Sequence, residues 1–123
     1  MANTKIGLGN SIGTRFVEFA DLNATAENDV LSGAATLHEI YVDNTGNTAA
    51  TFAKFYNAAA PTIGTTAPDI IVRSRASVKT RVYMAPGLGI SFATGLSGAG
   101  LTAAGTAGTT GPTNDVVARV RVS

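Results

Sequence analysis

The residue types that carry acid–base or nucleophilic chemistry are scarce in this sequence of 123 residues. It has one histidine, His38, which lies beside Glu39, and no cysteine, so thiol nucleophiles, thiolate metal ligands and disulfides are excluded. A serine hydrolase needs a serine and a histidine that a third group orients, and we read no nucleophile elbow around the serines. We therefore expect His38 to be structural or to lie at the rim of an interface, and we predict that the protein is not an enzyme.

A run of oxygen-bearing side chains is the sharpest candidate for a metal site. The run places a possible ligand at every second position: Asp21, Asn23, Thr25, Glu27 and Asp29. An EF-hand loop has glycine at its sixth position and glutamate at its twelfth, where this chain has Ala26 and Ser32. The N-terminal glycines lack the spacing of a phosphate-binding loop. We expect a solvated turn at 21–29, and we predict no cofactor and no metal.

The basic residues are more informative, because they come in pairs spaced by two. Such spacing projects both members from one face of a strand. The pairs are Arg73 with Arg75, Lys79 with Arg81, and Arg119 with Arg121. The formal net charge is only +1, yet the acids concentrate in residues 1–43 and the bases in residues 44–123. Solubilising charge on wet strands is one reading. We favour complementarity between neighbouring copies, and we predict no nucleic-acid partner because no aromatic platform is interleaved with the bases.

The stretch from Leu37 to Tyr56 reads as two strands joined by the four-residue turn Asn-Thr-Gly-Asn. Period 2 places one apolar face toward a core and gives the other face a mixture of aromatic and charged side chains. The residues of that mixed face are Leu37, Glu39, Tyr41 and Asp43 on the first strand, and Phe52, Lys54 and Tyr56 on the second. Aromatic residues with charged neighbours are typical of a protein interface. Cover by a loop of the same chain is the equal alternative.

The rest of the chain reads as short strands separated by Gly, Pro and Asn turns. The predicted strands are 14–20, 69–75, 77–84, 90–94, a weak strand at 96–103, and 116–122. About eight strands with little or no helix predict an all-β, antiparallel sandwich or jelly roll. Residues 14–123 form this single domain, and residues 1–13 form a flexible arm. We expect Ile6, Leu8 and Ile12 of the arm to become buried only against another chain.

One internal similarity supports two sheets. The sequence Gly-Thr-Thr-Ala-Pro followed by Asp-Ile-Ile-Val-Arg-Ser-Arg at 64–75 returns as Gly-Thr-Thr-Gly-Pro and Asp-Val-Val-Ala-Arg-Val-Arg within 108–121, with two residues inserted. This pattern suits two similar corners in which proline ends a loop and a strand follows. Good turn chemistry used twice is the alternative.

Four runs of the sequence resemble small structural proteins of aquatic tailed bacteriophages. They are Ile-Tyr-Val-Asp-Asn at 40–44, Ala-Lys-Phe-Tyr-Asn at 53–57, Gly-Thr-Thr-Ala-Pro-Asp at 64–69 and Gly-Ile-Ser-Phe-Ala-Thr-Gly-Leu at 89–96. The resemblance covers about residues 36–122 and carries over no functional residue. It implies a virion component, a head decoration (cement) protein.

The first hypothesis is therefore a non-enzymatic decoration protein that binds the major capsid protein as a homo-oligomer, a trimer. The candidate interface residues are Ile6, Leu8, Ile12, Tyr41, Phe52, Lys54, Tyr56, Arg73 and Arg75. With no hydrophobic leader and no long apolar run, we expect a chain made in the host cytoplasm that acts in the virion, without a membrane partner. The alternatives are a tail or fibre-tip module that binds a host glycan, and a small hydrolase or lectin-like accessory module.

Overall fold

The computed structural model of the chain describes residues 3–7, 15–84 and 88–123. Nine strands and no helix occur in these residues, so the prediction of an all-β chain is confirmed. The strands are β1 (Asn3–Gly7), β2 (Arg15–Leu22), β3 (Ala35–Asp43), β4 (Thr51–Asn57), β5 (Ile70–Ser74), β6 (Lys79–Tyr83), β7 (Ile90–Phe92), β8 (Leu96–Leu101) and β9 (Val116–Val122). None of the described segments is a helix of membrane-spanning length.

The strands form two antiparallel sheets, which confirms the predicted sandwich. Sheet A has the order β1-β2-β9-β3-β6, with β7 also paired to β3, and sheet B has the order β5-β4-β8. Alternate residues of β2, β3 and β9 point inward and meet β4 and β8 of the other sheet. Phe19 of β2 packs edge-on against Phe55 of β4 with 5.7 Å between ring centroids. Both rings are fully buried, so this contact joins the two sheets at the centre of the core.

Strands β6 and β7 share one edge of β3. Residues 79–83 pair with 43–39 and residues 90–92 pair with 37–35, so the two short strands run in the same direction along the same neighbour. Together they act as one interrupted edge strand of sheet A. Residues 85–87, where we predicted a turn, lie outside the described residues.

The predicted hairpin between Leu37 and Tyr56 is wrong, because its two strands belong to different sheets. β3 lies in sheet A and β4 in sheet B, so residues 44–50 cross from one sheet to the other. Asn44 fixes this crossing: its Nδ2 lies 3.0, 3.2 and 2.9 Å from the carbonyl oxygens of Ala49, Ser74 and Arg75. Its Oδ1 accepts from Asn47 and Thr51, both at 2.9 Å. Asparagine therefore serves here as a buried cross-link between segments, and not as a turn residue with positive φ.

The predicted alternation along β3 holds only on one side of His38. Leu37 lies opposite Val122 and Glu39 lies opposite Arg121, so His38 is an extra residue, a β-bulge. A bulge reverses the facing of the residues that precede it. Leu37, which strict period 2 places on the mixed outer face, is consequently fully buried with Ile40.

Strand β8, which sequence reasoning found weak, is buried at every residue. Its free edge is covered by the segment after β2: Gly100 N donates to Asn23 O at 2.8 Å, and Glu27 and Gly98 exchange both backbone hydrogen bonds. A Cβ at Gly98 would lie only 2.9 Å from the Phe19 ring. Small residues in β8 therefore let sheet A pack closely against sheet B.

The N-terminal segment departs from the expectation of an arm without regular structure. Asn3–Gly7 forms strand β1, which pairs antiparallel with β2 of the same chain and extends sheet A by one strand. The pairing places Ile6 opposite Phe16 in register. Leu8 and Ile12 lie outside the described residues, so the prediction that they dock on another chain stays a prediction.

The two Gly-Thr-Thr-x-Pro loops do precede strands in different sheets. The first leads into β5 of sheet B and the second into β9 of sheet A. The loops also meet, since a Cβ at Gly64, which has φ +92°, would lie 2.7 Å from Thr109 Cγ2. The repeated sequence thus builds two neighbouring loops at one end of the sandwich.

Candidate interaction surface

The outer face of sheet A presents a regular array of charged and aromatic side chains. Cross-strand register places Glu18, Arg119, Tyr41 and Arg81 in one row across four strands. The next row contains Phe16, Arg121, Glu39 and Tyr83. We call these eight residues the arginine–tyrosine face. It is a preformed surface, because every member lies on a hydrogen-bonded strand.

Arg81 lies on β6, at the edge of this face, and contacts two tyrosine rings. Its guanidinium carbon lies 5.2 Å from the centre of the Tyr41 ring and 5.9 Å from that of Tyr83. Arg81 Nη1 also donates to the Tyr83 hydroxyl at 3.2 Å. Arg119 approaches Tyr41 from the other side at 5.6 Å. Two arginines therefore flank one tyrosine by cation–π contact, and the Tyr83 ring remains 63% exposed.

Two ion pairs neutralise part of the face within the chain. Arg119 Nε lies 2.6 Å from Glu18 Oε2, and Arg121 Nη2 lies 3.8 Å from Glu39 Oε2. Both pairs join an acid from the acidic part of the sequence to a base from the basic part. Some of the charge asymmetry that we expected to act between copies is thus used between strands of one copy. Arg81 differs, since its hydrogen bond and its cation–π contacts are to tyrosines, and Glu39 acts on it only through a weaker electrostatic attraction.

Hydrogen bonding and burial shift the pKa of several groups. The bond to Tyr83 raises the pKa of Arg81, and the bond to Glu18 raises that of Arg119, so both stay charged. Hydrogen bonds from Thr45 lower the pKa of Asp43 at the end of β3. Burial lowers the pKa of Lys54. Arg81 and Arg119 therefore keep their positive charge across the ordinary pH range.

The three aromatic residues predicted to share one face lie on two sheets. Tyr41 belongs to the arginine–tyrosine face, whereas Phe52 and Tyr56 lie on β4 of sheet B. Tyr56 is 1% exposed and Lys54 is fully buried. Lys54 Nζ donates to Gly105 O at 2.7 Å, so a loop of the same chain covers it. For Lys54 and Tyr56 the alternative of cover by the chain's own loops holds.

The remaining predicted interface residues are on the other sheet or beyond the described parts. Arg73 and Arg75 are exposed on and just after β5, and Arg73 lies opposite Phe52 in register. They do not join the arginine–tyrosine face. Ile6 lies in β1 at the far edge of sheet A from β6. Leu8 and Ile12 fall in the stretch 8–14, which is outside the described residues.

The structure gives His38 a serine neighbour. His38 Nε2 lies 2.8 Å from Ser123 Oγ, and His38 is 9% exposed. A nucleophile and a base are thus in contact, but among the described hydrogen bonds none orients the imidazole from its other nitrogen, as a triad requires. Ser11 also stands in a Gly-x-Ser-x-Gly run, 9–13, which sequence reasoning passed over. A nucleophile elbow leads into a helix, whereas β2 begins at Arg15.

The oxygen-rich run at 21–29 does not converge on one point. Asn23 Oδ1 accepts from Thr25 N at 2.8 Å, and its Nδ2 donates to Asp115 at 3.1 Å. Glu27 is 7% exposed beside β8, and Asp29 Oδ1 accepts from Gly33 N at 3.4 Å. In the described part of the chain, no three histidine, cysteine or acidic residues are grouped as a metal site would need. The run serves as an edge cover of sheet B.

Comparison with known proteins finds no matching family model, no similar curated protein and no similar solved structure. The fold and the surface are therefore the basis for a function. Sequence reasoning placed Lys79 and Arg81 on one strand face but included neither Arg81 nor Tyr83 among the interface candidates. The signal in the sequence for Tyr83 was its position two residues after Arg81, which places both on one face of a strand.

Proposed function

We propose that this protein is a non-enzymatic virion structural protein, a capsid decoration (cement) protein that binds the lattice of the major capsid protein as a homo-oligomer, a trimer. The observation that carries the proposal is the arginine–tyrosine face, with Arg81 stacked between two tyrosine rings and Tyr83 largely exposed. Tyrosine and arginine are among the residues that are enriched at protein interfaces and at their hot spots. The resemblance to phage structural proteins directs the proposal to the virion.

The architecture suits a protein that adheres to a fixed lattice. The face is built on four paired strands, so binding orders little additional backbone and loses little conformational entropy. Each row contains one acid beside one arginine, Glu18 with Arg119 and Glu39 with Arg121, and this pattern favours one orientation on a partner of complementary charge. The protein would be made in the host cytoplasm and act in the virion, with no nucleic acid or membrane as partner.

Co-sedimentation with capsids tests the proposal. Capsids assembled without the chain are mixed with the full chain, with Arg81→Gln, with Tyr83→Ser and with a control, Arg75→Gln, at an exposed arginine outside the face. We expect each face variant to weaken binding by about 1–2 kcal/mol, the range of an interface residue that contributes clearly. The control should bind as the parent does. Equal binding by all four proteins would refute the role of the face.

The second candidate is a tail or fibre-tip module that binds a host surface glycan. The observation that favours it is the exposed Tyr83 ring directly opposite Glu39 in register, since an aromatic ring beside a carboxylate is a sugar-binding pair. A glycan array separates the two. Under this candidate the chain retains a glycan ligand, and Tyr83→Ser abolishes the signal while capsid binding is absent.

A further inference from the structure

The hydrogen-bond register of β6 leaves one side of its backbone open. Asn44 N donates to Val78 O at 3.0 Å just before β6, and Met84 N donates to His38 O at 2.9 Å just after it. The residues that take part from the β6 side, Val78 and Met84, are both even-numbered. In an antiparallel ladder, hydrogen-bonded and non-hydrogen-bonded pairs alternate. The even-numbered residues therefore bond to β3.

The odd-numbered residues of β6 face the other way. Lys79, Arg81 and Tyr83 direct their backbone N–H and C=O groups away from β3, toward the open edge of sheet A. β6 ends the order of that sheet, and among the described strands only β3 pairs with it. The side chains of the same three residues are exposed on the outer face. The edge thus presents backbone and side-chain groups of the same residues to a partner.

The charges of the edge determine what can pair there. An edge strand recruits extended segments, but Lys79 and Arg81 repel any strand that carries positive charge. If two copies paired antiparallel through β6 about Arg81, the two Arg81 side chains would stand opposite each other. The other edge of sheet A, β1, has the sequence Asn-Thr-Lys-Ile-Gly, with a lysine and no acid. Neither β6 nor β1 of a second copy therefore pairs favourably with β6.

We propose that β6 accepts an extended acidic segment of a partner protein as an additional strand of sheet A. The segment carries carboxylates at alternate positions, because alternate residues share the outer face with Arg81. The described contact to Tyr83 uses one of the five N–H donors of Arg81, so others are open to a carboxylate. The inference rests on the proposed function, and it specifies the chemistry of the capsid segment that the protein would bind.

Amide exchange on the full chain tests this pairing. The probe is an acetylated seven-residue peptide with glutamate at alternate positions and threonine or valine between them, at up to millimolar concentration. We expect the amides of Arg81 and Tyr83 to exchange quickly in the free protein and to become protected when the peptide is present. Arg81→Gln should weaken binding about fivefold, the size of one exposed charge pair. Arg75→Gln should leave it unchanged.

Two further peptides separate strand addition from contact with the face alone. One has lysine in place of glutamate, and the other is N-methylated at the amides that would bond to β6. We expect neither to protect the two amides. Unchanged exchange with the acidic peptide, equal binding of the lysine peptide, or full binding of the methylated peptide would each overturn strand addition. The proposed function would survive any of these if Arg81→Gln still weakened capsid co-sedimentation.

Discussion

Replacing Asn44 tests how the two sheets are joined. Its side chain is fully buried and its amide group lies within hydrogen-bond distance of three carbonyl oxygens from two other segments. Asn44→Ala removes these bonds, and Asn44→Asp replaces the donor group by an oxygen that faces the same carbonyls. Asn44→Asp keeps the size of the native side chain but can introduce a negative charge, whereas Asn44→Ala is smaller and neutral.

The magnitude follows from the number of bonds. The two N–H groups can make two strong bonds, and Oδ1 accepts two more, from Asn47 and Thr51. At about 1 kcal/mol net for each bond, Asn44→Ala should destabilise the fold by about 3–5 kcal/mol. Asn44→Asp should cost more at pH 7, because the buried carboxylate has no cation among its described neighbours and faces carbonyl dipoles. Its pKa should therefore rise.

Urea unfolding at pH 7 and at pH 4.5 measures both effects. We expect Asn44→Asp to be less stable than Asn44→Ala at pH 7. The difference in their free energies of unfolding should narrow at pH 4.5, where a protonated carboxyl group regains a hydrogen-bond donor. Asn28→Asp, at an exposed position, is the matched control and should change stability little. If Asn44→Asp were as stable as the parent at pH 7, the described network would not be what holds the crossing at 44–50.

Three further predictions concern packing and titration. Gly98→Ala should cost about 1–3 kcal/mol in urea unfolding, because the new methyl group overlaps the buried Phe19 ring. Lys54→Met should leave stability unchanged or raise it by about 1–2 kcal/mol, because it removes a buried cation. Asp43 has a pKa lowered by hydrogen bonds from Thr45, so its stabilising effect is present above the unfolded pKa of 3.8 and is lost as pH falls through the lower folded value. Asp43→Asn should therefore be less stable than the parent at pH 6, and the difference should shrink in acid unfolding curves as the pH falls below 3.8.

Controls for these variants come from the same chain. Gly105→Ala should be neutral, because nothing lies within 4 Å of a Cβ placed there. For Lys54 the sign is opposite to that for Asp43: the folded pKa lies below 10.5, so the unfolded chain binds the proton more tightly and parent stability rises with pH up to about 10.5. The stability of Lys54→Met should lack that rise with pH. A large loss of stability in Lys54→Met would show that the bond to Gly105 outweighs the cost of burial.

Local patterns in the sequence predicted the strands, their inward residues and the sandwich. Alternation located β2, β6 and β9 to within two residues, because one face of each is less exposed than the other. Pairing was not predictable to the same degree. The residues at 44–47 suit a tight turn and a crossing between sheets equally, and no local pattern says which sheet β4 joins. The alternation of apolar and polar residues along β3 also gives no sign of the bulge at His38.

The surface was predicted in part for the same reason. The spacing of Lys79 and Arg81 placed them on one face, but the contact of Arg81 with Tyr41 depends on a strand register set by residues far apart in the chain. The full burial of Lys54 was not predictable from the sequence, because lysine is rarely buried fully. Here its charged end donates to the carbonyl oxygen of Gly105, and the whole side chain is buried.

The most direct test of the proposed function is a cryo-EM map of the virion that contains this chain. We expect density for the sandwich on the outside of the capsid, in trimers, with Arg81 and Tyr83 of the arginine–tyrosine face against the major capsid protein. Density for the chain at the tail, or on the capsid with that face turned to solvent, would contradict it.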